Sequence, residues 1–157
     1  MSMICMLREV DAQQIEALSA NPESIQDFLE EETEEVELEK AWHGLHYLLT
    51  GSAWEGDEPL CYLANGGTEI GEDLGYGPAR ALSPAQVAAW NDALLTITTN
   101  ELRQRFDPAA LEQAQIYPSI WDEGDEAFDW LSEYLEILRS FLAQAKSAHK
   151  GALVYLT

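Results

Sequence analysis

The two ends of the chain are short β-prone segments, whereas the sequence between them carries mainly helical patterns. Residues 3–10 form one apolar segment, residues 152–156 form another, and residues 79–82 have the composition of a third short strand. Strand-like ends around a helical middle predict an α+β fold, with a small sheet that includes both termini packed against several helices. The length suits one domain over residues 1–157, and we find no linker or internal repeat.

Helical spacing is clearest in three segments. Residues 36–50 place apolar side chains three or four positions apart, which predicts one helix with a buried stripe of Leu38, Trp42, Leu45 and Leu49. The segment Ser83-Pro84-Ala85-Gln86 combines a capping box with a proline in the first turn, so it predicts the start of a second helix. Asp11, with Gln14 three residues later, forms the same kind of capping box and predicts the start of a short helix there. Residues 125–149 predict a long helix that buries Phe128, Leu131, Leu135, Leu138 and Leu142.

Acidic residues outnumber basic ones by 29 to 8, which gives a formal net charge of -21. The densest stretch contains Glu30, Glu31, Glu32, Glu34, Glu35, Glu37 and Glu39. A surface of this sign repels nucleic acid and anionic lipid headgroups and attracts basic partners. The run also precedes the helix predicted from residue 36, whose N-terminal dipole favours negative charge, so it has a structural interpretation beside a binding one.

The composition favours a cytoplasmic protein. Cys5 and Cys61 lie among apolar neighbours, which is typical of buried free thiols in a reducing compartment. The N-terminal residues lack the basic start and the long apolar run of a signal peptide. No apolar stretch approaches the roughly 20 residues of a membrane span, so we expect no membrane partner.

His43 and His46 lie three residues apart and share one face of the predicted helix. Two imidazoles in this arrangement suit zinc, but a zinc site needs a third and usually a fourth ligand, which the sequence does not require. The alternative, which we favour, is that both rings cap the core beside Trp42 and Tyr47. We therefore expect no metal and no cofactor.

No catalytic residue is predicted. Cys61 sits in an apolar run that raises the pKa of a thiol, and no serine lies in a Gly-x-Ser-x-Gly turn. The glycines of residues 71–77 do not follow a phosphate-binding pattern, although Arg80 beside them offers a cation for an anion or for a carboxylate of the chain.

Two of the five tryptophans, Trp54 and Trp121, fall in irregular segments. A loop tryptophan in an acidic field is a plausible anchor for a basic partner, through area burial and cation–π contact. The alternative is that such a ring closes one end of the core.

The run from Lys40 to Gly51, which reads Lys-Ala-Trp-His-Gly-Leu-His-Tyr-Leu-Leu-Thr-Gly, resembles the hallmark segment of the YfbM-like bacterial proteins. The start Met1-Ser2-Met3-Ile4 and the segments 76–80 and 117–121 are similar too, in the same order. The resemblance implies one α+β cytosolic domain of unknown function and supplies no catalytic residue. The matched positions form either a shared pocket or the framework of the fold: Trp42, His43, His46, Tyr47, Gly77, Pro78, Arg80, Tyr117 and Trp121.

The favoured hypothesis is a non-enzymatic acidic binding protein, in its most concrete form an immunity or antitoxin-like protein that occludes a basic bacterial toxin domain. Its predicted partner-binding residues are Glu30, Glu31, Glu32, Glu34, Glu35, Trp54 and Trp121. The alternative is an enzyme or a small-ligand binder with a pocket near His43, His46, Tyr47 and Arg80. The residues predicted to form that pocket are Trp42, His43, His46, Tyr47, Gly77, Arg80 and Tyr117.

Overall fold

The two ends of the chain pair with each other in the middle of one antiparallel sheet. In the computed structural model, which describes residues 2–157, the strands are β1 (Cys5–Val10), β2 (Val36–Glu37), β3 (Thr68–Ile70), β4 (Ala79–Leu82) and β5 (Gly151–Leu156). Their order is β2-β1-β5-β4-β3, and Cys5 of β1 faces Leu156 of β5. Met1, which belongs to one segment of the family resemblance, lies outside the described residues.

Helices cover both faces of this sheet. They are α1 (Ala12–Ala20), α2 (Ile25–Glu30), α3 (Trp42–Thr50), α4 (Pro84–Leu95), α5 (Thr99–Arg105), α6 (Pro108–Gln113) and α7 (Asp125–Ser147). Asp11 and Ser83 each form a capping box, with Gln14 and Gln86 respectively, so these two starts lie where the sequence predicts them. The prediction of an α+β fold with both termini in the sheet is confirmed.

Alternating side chains of the central strands feed two cores. Leu7, Leu82 and Val154 face the larger core, which also buries residues of α3, α4 and α7. Val10 and Leu153 face a smaller core that includes side chains of α1 and α2. Since α2 packs on the smaller core, the glutamate-rich segment that follows α2 begins on that side of the sheet. It reaches the edge of the sheet at β2.

The helix predicted over residues 36–50 begins only at Trp42, and this part of the prediction is wrong. Val36 and Glu37 pair with Leu7 and Met6 of β1 instead, and the backbone N–H of Leu38 donates to a carbonyl of the same strand. The predicted stripe is buried as expected, because a strand and a 3-10 turn still point Leu38 into the core. Glu39 lies in the 3-10 turn that leads into α3, whereas the glutamates of residues 30–37 lie before that turn, so the dipole explanation applies to Glu39 alone.

The long helix α7 buries the five apolar residues predicted for it. It ends at Ser147, two residues before the predicted end, and Gly151 is the first residue of β5. A Cβ at that glycine would collide with the carbonyl oxygen of Leu82, so close approach of β4 requires glycine there. Within residues 2–157, no helix has both the length and the apolar character needed to cross a membrane.

Candidate functional site

The glutamate-rich segment that follows α2 is held by one buried arginine. Arg8 is 2% exposed, and its guanidinium donates to three carbonyl oxygens at and just beyond the end of α2, those of Phe28, Leu29 and Glu31. It also donates to Glu35 at 3.0 Å. Helix C-termini carry partial negative charge, so the Arg8 cation stabilises this end of α2. The same cation offsets part of the negative charge of the acids that follow.

Glu35 is therefore an anchor of the segment rather than a free surface acid. One carboxylate oxygen accepts from Arg8, the other accepts from the hydroxyl of Tyr155, and the side chain is 19% exposed. Burial and the contact with Glu35 raise the pKa of Tyr155, which keeps the hydroxyl protonated. The predicted partner-binding residue Glu35 thus has both carboxylate oxygens bonded within the chain. The other predicted acids are exposed: Glu30, Glu31, Glu32 and Glu34.

A cleft of about 830 Å³ lies between this segment and α7, and we call it the acidic cleft. Its four carboxylates come from three parts of the chain: Glu9, the neighbouring pair Glu34 and Glu35, and Glu136. Val36, Ile137 and Phe141 supply apolar lining, and Ile137 is 40% exposed. A cation with an aliphatic stem would find both a charged rim and an apolar floor here.

The imidazoles of His43 and His46 are engaged with backbone groups. Nε2 of His43 lies 2.8 Å from the carbonyl oxygen of Ala53, and Nδ1 accepts from the backbone N–H of Tyr117 at 2.9 Å. Nε2 of His46 lies 2.8 Å from the carbonyl oxygen of Glu55, while its buried Nδ1 has no partner among the described residues. Both rings therefore fix irregular segments against α3.

Burial lowers the pKa of both histidines, and lowers that of His46 to about 4. Both rings are neutral at neutral pH and act as hydrogen-bonding parts of the scaffold. Burial also raises the pKa of Cys61 and raises that of Cys5 to about 12, so neither thiol is a ready nucleophile. Across residues 2–157, no three His, Cys, Asp or Glu side chains are grouped to hold a metal ion.

A second cavity, of about 230 Å³, brings together three residues of the predicted pocket, Trp42, Gly77 and Arg80. We call it the aromatic pocket, because Trp54 and Tyr76 also line it. The other predicted pocket residues lie outside its lining: His43, His46, Tyr47 and Tyr117. Arg80 thus lines this cavity, whereas His43 and His46 do not.

Two of these outer residues support the aromatic wall from behind. The ring of His43 stacks on Trp42 with centroids 5.0 Å apart and lies 4.3 Å from the ring of Trp54. The hydroxyl of Tyr117 accepts from the backbone N–H of Met3, and Nε1 of Trp42 donates to the carbonyl of the same residue. Tyr47 is partly buried and packs against the larger core.

Arg80 lies on β4 directly opposite Glu69 on β3. Its guanidinium donates to the carbonyl oxygens of Gly66 at 3.0 Å and Tyr62 at 2.8 Å. Among the described residues, no carboxylate oxygen lies within 4.0 Å of it, and burial lowers the pKa of Arg80. Arg80 shares this lack of a carboxylate partner with Arg105, in a chain with 29 acids.

The two loop tryptophans have opposite environments. Trp54 is 56% exposed, and it lines the aromatic pocket rather than the acidic cleft. Trp121 is fully buried, its Nε1 donates to the carbonyl of Ile116, and its ring fills the space above Gly44. The prediction of Trp121 as a surface anchor is therefore wrong, because the ring closes the larger core.

Comparison with known proteins agrees with the resemblance found in the sequence. Residues 1–155 match the family described as Domain of unknown function (DUF1877). The chain belongs to the DUF1877 family. Its fold is similar to the crystal structure of YfbM from Escherichia coli, described as a protein of unknown function, with 25% identity and a TM-score of 0.81 over 99% of this chain and 100% of that chain. No curated protein matches this DUF1877 chain.

Sequence patterns of this DUF1877 protein did not reveal half of the acidic cleft. Glu9 projects from β1 and Glu136 from α7, far from the glutamate run in sequence. The absence of Lys and Arg between Arg105 and Arg139 marks α7 as acidic. Only the packing of α7 beside the β2 edge brings these acids into one cleft.

Proposed function

We propose that this DUF1877 protein is a non-enzymatic acidic binding protein whose acidic cleft receives a basic segment of a partner protein. Three carboxylates, those of Glu9, Glu34 and Glu136, converge around apolar side chains, and this is the observation that supports the proposal most directly. They outnumber the cations there, which are Lys150 in the lining and Arg139, whose Nε lies 3.6 Å from Glu136. Acids that served solubility alone would need no shared concavity with an apolar lining.

The net charge and the cleft have different roles in this mechanism. The charge of -21 steers a cationic partner as it approaches, over a Debye length of about 8 Å at physiological ionic strength. At contact, each exposed ion pair contributes only about 0.2–1 kcal/mol. Lys or Arg stems laid on Ile137 and Phe141 therefore supply much of the affinity, by removing apolar surface from water.

One side of the acidic cleft is held rigidly, which favours binding of a single partner, either folded or extended. Arg8 and Glu35 fix the segment that carries Glu34, so little ordering is required on binding. An immunity or antitoxin-like protein that occludes a basic toxin domain is the most specific form of this function. A binding role is favoured over a catalytic one because His43 and His46 are engaged with backbone carbonyls.

A matched pair of double variants tests the cleft. Glu34→Gln/Glu136→Gln removes two charges from the cleft, and Glu16→Gln/Glu112→Gln removes two exposed charges outside its lining. The probe is a fluorescent oligolysine peptide with interspersed leucines, followed by fluorescence anisotropy at low and physiological salt. Loss of two rim pairs predicts roughly 2- to 30-fold weaker binding for the cleft variant, and a smaller change for the control.

Equally weakened peptide binding in the two double variants would show that the electrostatic field of the whole protein, and not the cleft, attracts the peptide. The same variants serve as baits for a native partner. A partner that is recovered equally by wild type and by the cleft variant would contradict the proposed function.

A further inference from the structure

The aromatic pocket presents one positive and one negative side chain to the same small cavity. Arg80 and Glu69 are register partners on β4 and β3, and directly opposed residues of antiparallel strands project to the same face. Both line the cavity, yet they form no ion pair within 4.0 Å among the described residues. Two opposite charges that share a cavity without neutralising each other leave room for a ligand that carries both signs.

Arg80 is prepared to accept a carboxylate. Its carbonyl partners, Gly66 and Tyr62, use two of the five guanidinium N–H groups and hold the plane in place. The remaining donors of a desolvated guanidinium form strong charge-assisted bonds, and the arginine needs no reordering to make them.

Another part of the lining of this cavity is aromatic. Trp54 is 56% exposed, but its position is fixed, because its carbonyl accepts from the side chain of Asn65 at 2.6 Å and its ring packs on His43. Trp42 and Tyr76 complete the wall. An exposed indole held in this way offers apolar area to a small ligand at little entropic cost.

The geometry points to a free α-amino acid with an apolar side chain as the ligand of the aromatic pocket. Its carboxylate binds Arg80, its ammonium group faces Glu69, and its side chain packs on Trp54. The cavity of about 230 Å³ is smaller than the roughly 300–1,000 Å³ typical of drug-sized ligands, which suits one such molecule. The net charge of -21 repels simple anions, whereas a zwitterion carries no net charge and is not repelled.

Three probes separate the contributions of the two charges. L-Phenylalanine carries both groups, 3-phenylpropanoate lacks the ammonium group, and phenethylamine lacks the carboxylate. Isothermal titration with wild-type protein is expected to give binding of L-phenylalanine, with each truncated probe about tenfold weaker or more. Absence of L-phenylalanine binding at about 10 mM, a concentration that detects very weak sites, overturns the assignment for this amino acid, and L-leucine and L-methionine are tested in the same way.

Variants then locate the site. Glu69→Gln changes an exposed side chain, and we expect it to weaken L-phenylalanine about tenfold while leaving 3-phenylpropanoate unchanged or tighter. Trp54→Ala should weaken all three probes, and Glu112→Gln, which removes a distant charge, should weaken none. Because Arg80 also holds backbone carbonyls, Arg80→Gln is used only if its melting temperature matches wild type.

Equal effects of Glu69→Gln and Glu112→Gln on L-phenylalanine would overturn the proposal. So would amide chemical-shift changes on titration that avoid residues 63–80. The acidic cleft is not involved in these measurements, so their failure leaves the proposed partner binding untouched, and the reverse also holds.

Discussion

The buried ring of His46 predicts a specific loss of stability in mild acid. Nε2 donates to the carbonyl of Glu55, and the second proton would go to the buried Nδ1, which has no hydrogen-bond partner among the described residues. Desolvation is the largest cause of the lowered pKa of His46, about 4 against an ordinary value of 6.5. The unfolded chain therefore binds a proton at this position at a higher pH than the folded chain does.

The sign and the size of the effect follow from linkage. A base with a depressed pKa in the folded state contributes stability above its unfolded pKa, and loses that contribution as the pH falls through the folded value. The window for His46 runs from 6.5 down to about 4. Each pKa unit corresponds to about 1.4 kcal/mol, so protonation of His46 lowers the free energy of unfolding by at most roughly 3 kcal/mol.

Urea unfolding of wild type and His46→Gln, measured from about pH 7 to about pH 4, isolates the contribution of this ring. Glutamine keeps a donor for the Glu55 carbonyl but does not titrate. Protonation of groups elsewhere in the chain occurs in both proteins and largely cancels in the difference. We expect the difference in unfolding free energy to shift towards the variant by up to roughly 3 kcal/mol as the pH falls. A difference that stays constant across this range would refute the reasoning.

Three further perturbations test how the fold is held together. Arg8→Met should destabilise the protein by about 3–5 kcal/mol in urea unfolding, because it leaves Glu35 partly buried without its cation; a cost below that of an exposed ion pair would show that the pair does not anchor the segment. Trp121→Ala should cost about 3–5 kcal/mol, whereas Trp54→Ala should cost much less, and similar melting temperatures for the two variants would contradict their assigned environments. Gly151→Ala should lower the melting temperature, since its Cβ would meet a backbone carbonyl of β4; an unchanged melting curve would mean that the sheet can open there without cost.

Local signals in the sequence predicted those features that depend on near neighbours. The capping boxes at Asp11 and Ser83 join groups three residues apart, so a short stretch of sequence determines their geometry. The buried face of α7 follows in the same way from helical spacing. Burial of Leu38 was also predicted, although for the wrong backbone conformation.

Features that depend on distant partners could not be predicted. Val36 and Glu37 form a strand because β1 offers unpaired backbone groups at the sheet edge, a fact that no local pattern encodes. Trp54 and Trp121 both lie in irregular segments, and only packing against Gly44 distinguishes the buried ring from the exposed one. The meeting of Glu9 and Glu136 in one cleft has the same origin.

The use of the few cations explains why the acidic surface stays uncompensated. Four of the five arginines donate to backbone carbonyl oxygens: Arg8, Arg80, Arg105 and Arg139. Three of these carbonyl groups lie at helix C-terminal ends, those of α2, α3 and α4, where a positive charge stabilises the helix dipole. Of these four, Arg8 and Arg139 also pair with carboxylates, those of Glu35 and Glu136, whereas Arg80 and Arg105 have none within 4.0 Å among the described residues. They therefore neutralise few of the exposed carboxylates. Most of the arginines are thus used to hold the backbone in place. The electrostatic field at the surface therefore stays negative, and this field would steer a basic partner towards the acidic cleft.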